Sequence, residues 1–540
     1  MRTRFLVFVF LQVGMMATAQ KVPADLLVHN AVIYTIDEQF SVKEAMVVKA
    51  GKILATGTSA ELKKKYDSRQ ELDARGKFVY PGFIDAHAHF LDYGLGLQTL
   101  DLTGTQSWEA VLEKLKGYAA THPEGWLQGW GWDQNDWEKK EFPSRDSLDK
   151  LFPGRPVFLT RVDGHAAIAN GAALGNLSVN TKISGGELGV KDGALTGILV
   201  DNAIGLVSRK IPSPSGRQKK EALLNAQANC FAAGLTTIDD CGLNYEDVLL
   251  IEALQKEQAL KMRLYVMLSD REQNYRQLFQ RGIIKTDRLH VRSFKVYADG
   301  ALGSRGACLL EPYSDKPASK GFLMNEQKHY SSVAAEIYEK GFQMCTHAIG
   351  DSGNRVILNT YGALLKDKND RRWRIEHAQV VNQHDFDLFG KYSIIPSVQP
   401  THATSDMYWA GERLGDYRVK GAYAYNQLMG QNGWLALGTD FPVENISPIK
   451  TFYAACIRKD SKGWPQKGYQ VENALSREDA LRGMTIWAAK ANFEEEEKGS
   501  LEAGKLADFI LLDQDLLKTD ASNILATQVL QTFVQGEKVY

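Results

Sequence analysis

His87-Ala88-His89, inside the stretch Tyr80-Pro-Gly-Phe-Ile-Asp-Ala-His-Ala-His-Phe90, constrains the fold of this chain more than any other feature. Residues two apart on a β-strand point to the same side, so both imidazoles can reach one point in space. The same alternation sets Asp85, His87 and His89 on one face and Ile84, Ala86, Ala88 and Phe90 on the other. A strand that follows a Pro-Gly turn with one polar and one apolar face suits a barrel whose inner end carries a metal and whose outer side meets helices. An isolated H-x-H is equally compatible with packed histidines. The rest of the chain has to decide.

At 540 residues the chain exceeds one small core, and a large catalytic domain with an accessory domain is expected. Lys and Arg (64) nearly balance Asp and Glu (65), so nothing electrostatic calls for nucleic acid or an anionic membrane as partner. Arg2 and Arg4 precede the apolar run Phe5–Leu11, and Ala17-Thr-Ala19 offers a small-residue cleavage site. That order reads as a secretory signal over residues 1–19, too short to remain as a membrane span, and predicts an exported, periplasmic or secreted protein. Five cysteines form no C-x-x-C pair, so a zinc ribbon is not expected and buried free thiols are.

Residues 20–79 read as short strands with Gly turns, and residues 496–540 repeat that texture. Together the two ends are expected to form one small β-sandwich. Between them, over 80–495, strand-like runs alternate with helical patterns, among them Gln218–Ala233, Ser331–Lys340 and Ala403–Leu414. The alternation is that of parallel βα units. No Gly-rich dinucleotide turn appears, so the α/β middle is expected to be a closed (β/α)8 TIM-like barrel. Nine runs are one too many for eight strands, and Pro156–Val162 is assigned to an insertion around 105–215.

Several runs end in a side chain suited to metal or acid–base work. Phe294-Lys-Val-Tyr-Ala-Asp-Gly300 sets Lys295, Tyr297 and Asp299 on one face; other runs end in His347, His377 and Asp440. In a barrel the C-terminal ends of the strands converge, so these distant residues can share one site. The ordered set P-G-F-I-D-A-H-A-H, K-V-Y-A-D-G, T-H-A-I-G-D, I-E-H-A and L-G-T-D resembles the amidohydrolase superfamily. Phe294–Arg305 and Asp163-Gly-His-Ala-Ala-Ile-Ala-Asn170 resemble its amidohydrolase family 3 branch, which includes N-substituted formamide deformylase-like proteins.

The resemblance implies that His87, His89, His347 and His377 bind divalent metal, zinc first, with Asp440 as ligand and proton shuttle. Lys295 matches a lysine that is carboxylated and bridges two metals in binuclear members. A free ammonium has only donors, so the alternative is one metal, with Lys295 as a substrate contact or a charge partner of Asp299. His165 and Arg305 are the substrate-binding candidates, and His402, just past a strand end, stands behind them. Trp126–Trp137 is read as packing within the insertion or as an aromatic lining.

The expected activity is hydrolysis of a non-peptide C–N bond in an amide, N-formyl, N-acyl or cyclic amide compound. Lactone or ester hydrolysis on the same site is the rival enzyme reading, and a silent binding or regulatory protein the rival from another class. The expected partner is a small-molecule substrate, with a homo-oligomer left open. A nucleic-acid deaminase is not expected, because the H-x-E…C-x-x-C pattern is incomplete without any C-x-x-C and the chain has no basic bias.

Overall fold

The computed structural model describes residues 20–540, so the signal-like segment 1–19 lies outside the described residues. Eight parallel strands make the barrel: β1 (Phe83–Ala88), β2 (Leu235–Leu243), β3 (Arg263–Ser269), β4 (Leu289–Tyr297), β5 (Gln343–Ala348), β6 (Arg374–His377), β7 (Ile395–Val398) and β8 (Ala436–Leu437). Each pairs with its sequence neighbour. The ring closes where the Asp440 N–H donates to His87 O (2.7 Å) and the His89 N–H to Phe441 O (2.8 Å). Inward side chains such as Cys241, Tyr265, Met267 and Cys345 fill the interior. It is a packed core, not a pore.

Helices cover the outside, and their starts are written locally. Ser215 and Gln218 cap the helix Gly216–Ala232 reciprocally, satisfying N–H groups that a helix start leaves open. The helical pattern read over 403–414 is two helices, Pro400–Asp406 and Ala410–Arg418. Trp409 breaks it at φ −140°, with its ring buried in the cavity wall rather than on a continuous helix face.

Both chain ends do build the small β domain. Phe78–Pro81 lies between Val32–Tyr34 and the C-terminal strand Phe509–Leu512, with Tyr80 opposite Ile510. A four-stranded sheet around Val22–His29 packs on it through Leu26, Val28, Ile33, Val48, Phe509 and Phe533. The sandwich therefore extends to Pro81, two residues past the expected boundary. The insertion carries a six-stranded sheet that begins at Leu100–Asp101, earlier than expected, and includes Val157–Arg161 as one strand. Trp132 and Trp137 belong to its core, whereas Trp130 faces the cavity. All five cysteines are free thiols. Among the described residues no helix is long and apolar enough to cross a membrane.

Candidate active site

The insertion overhangs the C-terminal mouth of the barrel and walls one side of a half-open cavity of about 1100 Å³, whose wall includes His89, Lys295, His347, His377 and Asp440. The first strand sets the floor. Asp85 faces the seam with β8: its carboxylate accepts the Thr439 N–H (2.9 Å) and hydroxyl (2.7 Å), stitching β1 to the end of β8. Burial pushes its pKa up to about 7 against those bonds. Gly438 permits this stitch, because a Cβ there would lie 2.6 Å from the His87 nitrogen.

Above that floor, ligand atoms of His87, His377 and Asp440 lie within 4.8 Å of one another. Asp440 Oδ1 is 3.5 Å from His87 Nε2 and 3.3 Å from His89 Nε2, and it is buried with no hydrogen-bond partner. His347 stands beside this group rather than within it, its ring centre 4.5 Å from that of His377 and its Nε2 3.8 Å from Asp299 Oδ1. Lys295 Nζ stands 3.3 Å from His87 Nε2 and 4.7 Å from the centre of the Tyr297 ring. His377 and Asp440 have left-handed backbones, φ 71° and 63°, a strained conformation of the sort held at functional positions.

Electrostatics make the group ready for a cation. Burial, with Lys295 adding to it, brings the His87 pKa down to about 4 even though Glu376 and Asp440 oppose the shift. Burial and neighbouring imidazoles hold His347 and His377 well below the ordinary histidine value. Burial would raise Asp440, but His87, His402 and His89 outweigh it and keep the carboxyl ionised. Neutral imidazoles and an ionised carboxylate are the protonation states a metal needs. The converging donors and the unpartnered Asp440 Oδ1 fit a divalent cation.

Glu376 and Glu444 were not singled out from the sequence. Glu376 Oε2 accepts from His87 Nδ1 at 2.6 Å with both side chains fully buried, which leaves His87 Nε2 as the ligand nitrogen. Strand alternation would send Glu376 away from the face of His377. The left-handed turn at His377 brings both inside. An acid beside a ligand histidine was the available signal. His402, ranked behind the others, bridges Asp440 Oδ2 and Glu444 Oε1 at 3.2 Å each, and Ser405 Oγ also donates to Glu444 (2.6 Å).

The remaining candidates separate. His165 is in the cavity wall, with Nδ1 2.6 Å from Asp201 Oδ1. Arg305 is not: its guanidinium is held by Asp315 at 2.8 and 3.3 Å. Arg161 and Arg209 do line the cavity, and Arg161 is buried and paired with Asp133 and Asp163. Asp299 is no charge partner of Lys295. It accepts the N–H groups of Cys308, Ile349 and Gly350 at 2.8–2.9 Å and so shapes the loop after His347.

Residues 70–540 match the model of the amidohydrolase family. The chain is 34% identical over 538 residues to Protein LONG AFTER FAR-RED 3 of Arabidopsis thaliana, covering 96% of this chain and 92% of the relative. It is 26% identical over 539 residues to the N-substituted formamide deformylase of Arthrobacter pascens, covering 95% and 97%. The crystal structure of an uncharacterized metal-dependent hydrolase from Pyrococcus horikoshii superposes with a TM-score of 0.74 at 27% identity, covering 92% of this chain and 99% of that one.

Proposed function

The chain belongs to the amidohydrolase family, and from that premise we propose that it hydrolyses a non-peptide C–N bond in a formamide, N-acyl amine or cyclic amide. The observation that carries the reading is the placement of Asp440: one oxygen faces His87 and His89, the other His402. A divalent cation, zinc by this imidazole and carboxylate set, would be held by His87, His89, His347, His377 and Asp440 and would supply Lewis acidity toward water and carbonyl.

The chain's own residues then divide the work. Glu376 keeps the His87 ring in one tautomer and orientation. Asp440 Oδ1 takes a proton from the attacking water and returns it to the leaving nitrogen, while His402 fixes its other oxygen. The His402 contact, backed by Glu444, keeps Asp440 from rotating. Lys295 has only donors as an ammonium; were it to give up two protons and add CO₂, it would become a carbamate with carboxylate oxygens that could ligate metal. Metal stoichiometry separates the two states: two ions support the carbamate, one supports the ammonium.

The relative named as an N-substituted formamide deformylase supports the C–N reading. The N-terminal pattern supports export, which predicts a mature protein beginning near Gln20 in a periplasmic or secreted fraction. The direct test is turnover of formamides, N-acyl amines, cyclic amides and lactones before and after chelation and again after adding zinc, manganese or iron. Amide turnover that vanishes with the metal and returns with it is expected. Turnover of lactones with none of the amides would replace the C–N reading, and full activity in metal-free protein would refute the metal-dependent one.

A further inference from the structure

His165 comes from the insertion, not from the barrel, yet it stands among the barrel's candidate ligands. Its ring centre is 5.0 Å from that of His347 and 6.3 Å from that of Tyr297. The insertion sheet places Asp201 beside it: the Asp201 N–H donates to His165 O (3.0 Å), and Asp201 Oδ1 meets His165 Nδ1 at 2.6 Å. The Asp201 side chain is fully buried, and its second oxygen, Oδ2, has no hydrogen-bond partner.

The barrel makes room for this carboxylate. A Cβ at Gly300 or Gly306, both in the loop after β4, would lie 2.3 or 2.2 Å from Asp201 Oδ2. Two glycines on one module thus admit a buried acid from another, at the cost of an unmet oxygen. Stability alone gives no reason for such an arrangement, since an unsatisfied buried oxygen costs free energy. What it accomplishes is orientation. With Nδ1 committed to Asp201, Nε2 is the ring atom left for a ligand, and among the described residues none hydrogen-bonds it. Across the cavity stands the other carboxylate and imidazole pair, Asp440 with His402.

We propose that His165 is a catalytic residue that, as an imidazolium with Nδ1–H given to the Asp201 carboxylate, donates its second proton from Nε2–H as a hydrogen bond to the carbonyl oxygen of the scissile amide, with Asp201 as its positioning residue and charge partner. The proposal rests on the amide-hydrolase reading above. It divides the reaction between modules: the barrel's Asp440 moves the proton, and the insertion's His165 steadies the oxygen on which charge develops. A donor placed at such an oxygen is worth about 10²- to 10³-fold in turnover.

The test compares metal-loaded wild type with His165→Ala, His165→Gln, Asp201→Ala and the double variant His165→Ala/Asp201→Ala, measuring kcat, KM and bound metal for each. Expected is a fall in kcat of about 10²-fold for His165→Ala, with KM changed much less. His165→Gln, whose amide can donate, should recover part of that loss. Asp201→Ala should lose kcat in the wild-type background and little more in the His165→Ala background, as coupled residues do. Bound metal should be unchanged throughout. Wild-type-like kcat in His165→Ala would overturn the proposal alone, as would loss of metal from that variant, which would make His165 a ligand. Additive losses would overturn the positioning role of Asp201. Absence of amide turnover by the wild type would sink the underlying reading and the proposal with it.

Discussion

The two ends of the barrel hold similar charged residues under opposite arrangements. Where the strands begin, buried charges are paired. Arg263 meets Asp508 at 2.6 and 3.2 Å, Arg374 meets Asp239 at 2.9 Å, and Glu494 contacts Lys285, Lys498 and His290. Where the strands end, imidazoles crowd together, Asp440 keeps a bare oxygen, and two backbones are left-handed. The first end fixes the C-terminal segment onto the barrel. The second leaves donors unmet for a ligand. Conserving stability at one end lets the other remain unsatisfied. Pairing at the closed end is uneven: burial still pushes Asp239 up to about 7 beside Arg374, while Glu494, with Lys498, His290 and Lys285 around it, is held well below the usual carboxylate range.

The contrast can be broken by single substitutions. Asp440→Asn should lower kcat by about 10²- to 10⁴-fold while the thermal midpoint holds, since the lost group serves proton transfer. Steady-state kinetics beside a thermal melt checks it; a large loss of stability would place Asp440 with the structural end. Arg263→Met should do the reverse. Stranding the buried Asp508 costs about 3–5 kcal/mol, read as a lower urea midpoint, with turnover per folded molecule retained.

Gly438→Ala sharpens the comparison, because it touches both roles. A Cβ 2.6 Å from the His87 nitrogen and 2.9 Å from Asp85 Oδ1 must displace the seam between β1 and β8. A destabilisation of about 1–3 kcal/mol together with reduced turnover is expected, measured on the same preparation. Stability unchanged with turnover reduced would mean the seam yields without cost.

The smallest effect is in pH. Asp240, at the end of β2, has its pKa pushed up to about 7 by burial and by Asp92. The folded state therefore holds that proton where the unfolded chain has lost it. Its contribution to stability falls as pH rises from about 4 to about 7. Glu494 has the opposite sign: its depressed pKa stabilises the fold above the ordinary glutamate value and is lost as pH falls through the folded value. In metal-free protein, Asp240→Asn should flatten the loss of stability between pH 5 and 7. Glu494→Gln should lower the melting point at pH 7 and matter little in strong acid. Melts across pH for the two variants test both signs, and identical profiles would erase the electrostatic difference between the ends.

Much of the fold was legible, and for a local reason. Each barrel strand is a short apolar run bounded by turn residues, and His87, His347, His377 and Asp440 sit where such runs end. The helix break at Trp409 was not legible, because cavity packing rather than periodicity ends that helix. Arg305 and Arg161 show the same limit. Arg305 ends a motif-like stretch and Arg161 lies just before one, but only a fold could show that Asp315 holds the first outside the wall while Asp133 and Asp163 hold the second within it. Glu376 was hidden by strand alternation, which a left-handed residue at 377 overrides.

The sequence by itself determined which residue types stand at the ends of the strands, since period and turn chemistry act over a few neighbours. Tertiary structure alone decided what each of them touches: Glu376 behind His87, His402 behind Asp440, Asp201 behind His165, Thr439 on Asp85 across 354 positions. The physical reason is ring closure. It brings the first and last strands of the barrel side by side and lowers the insertion onto them, and hydrogen bonds of under 3.5 Å depend on that geometry rather than on any spacing along the chain.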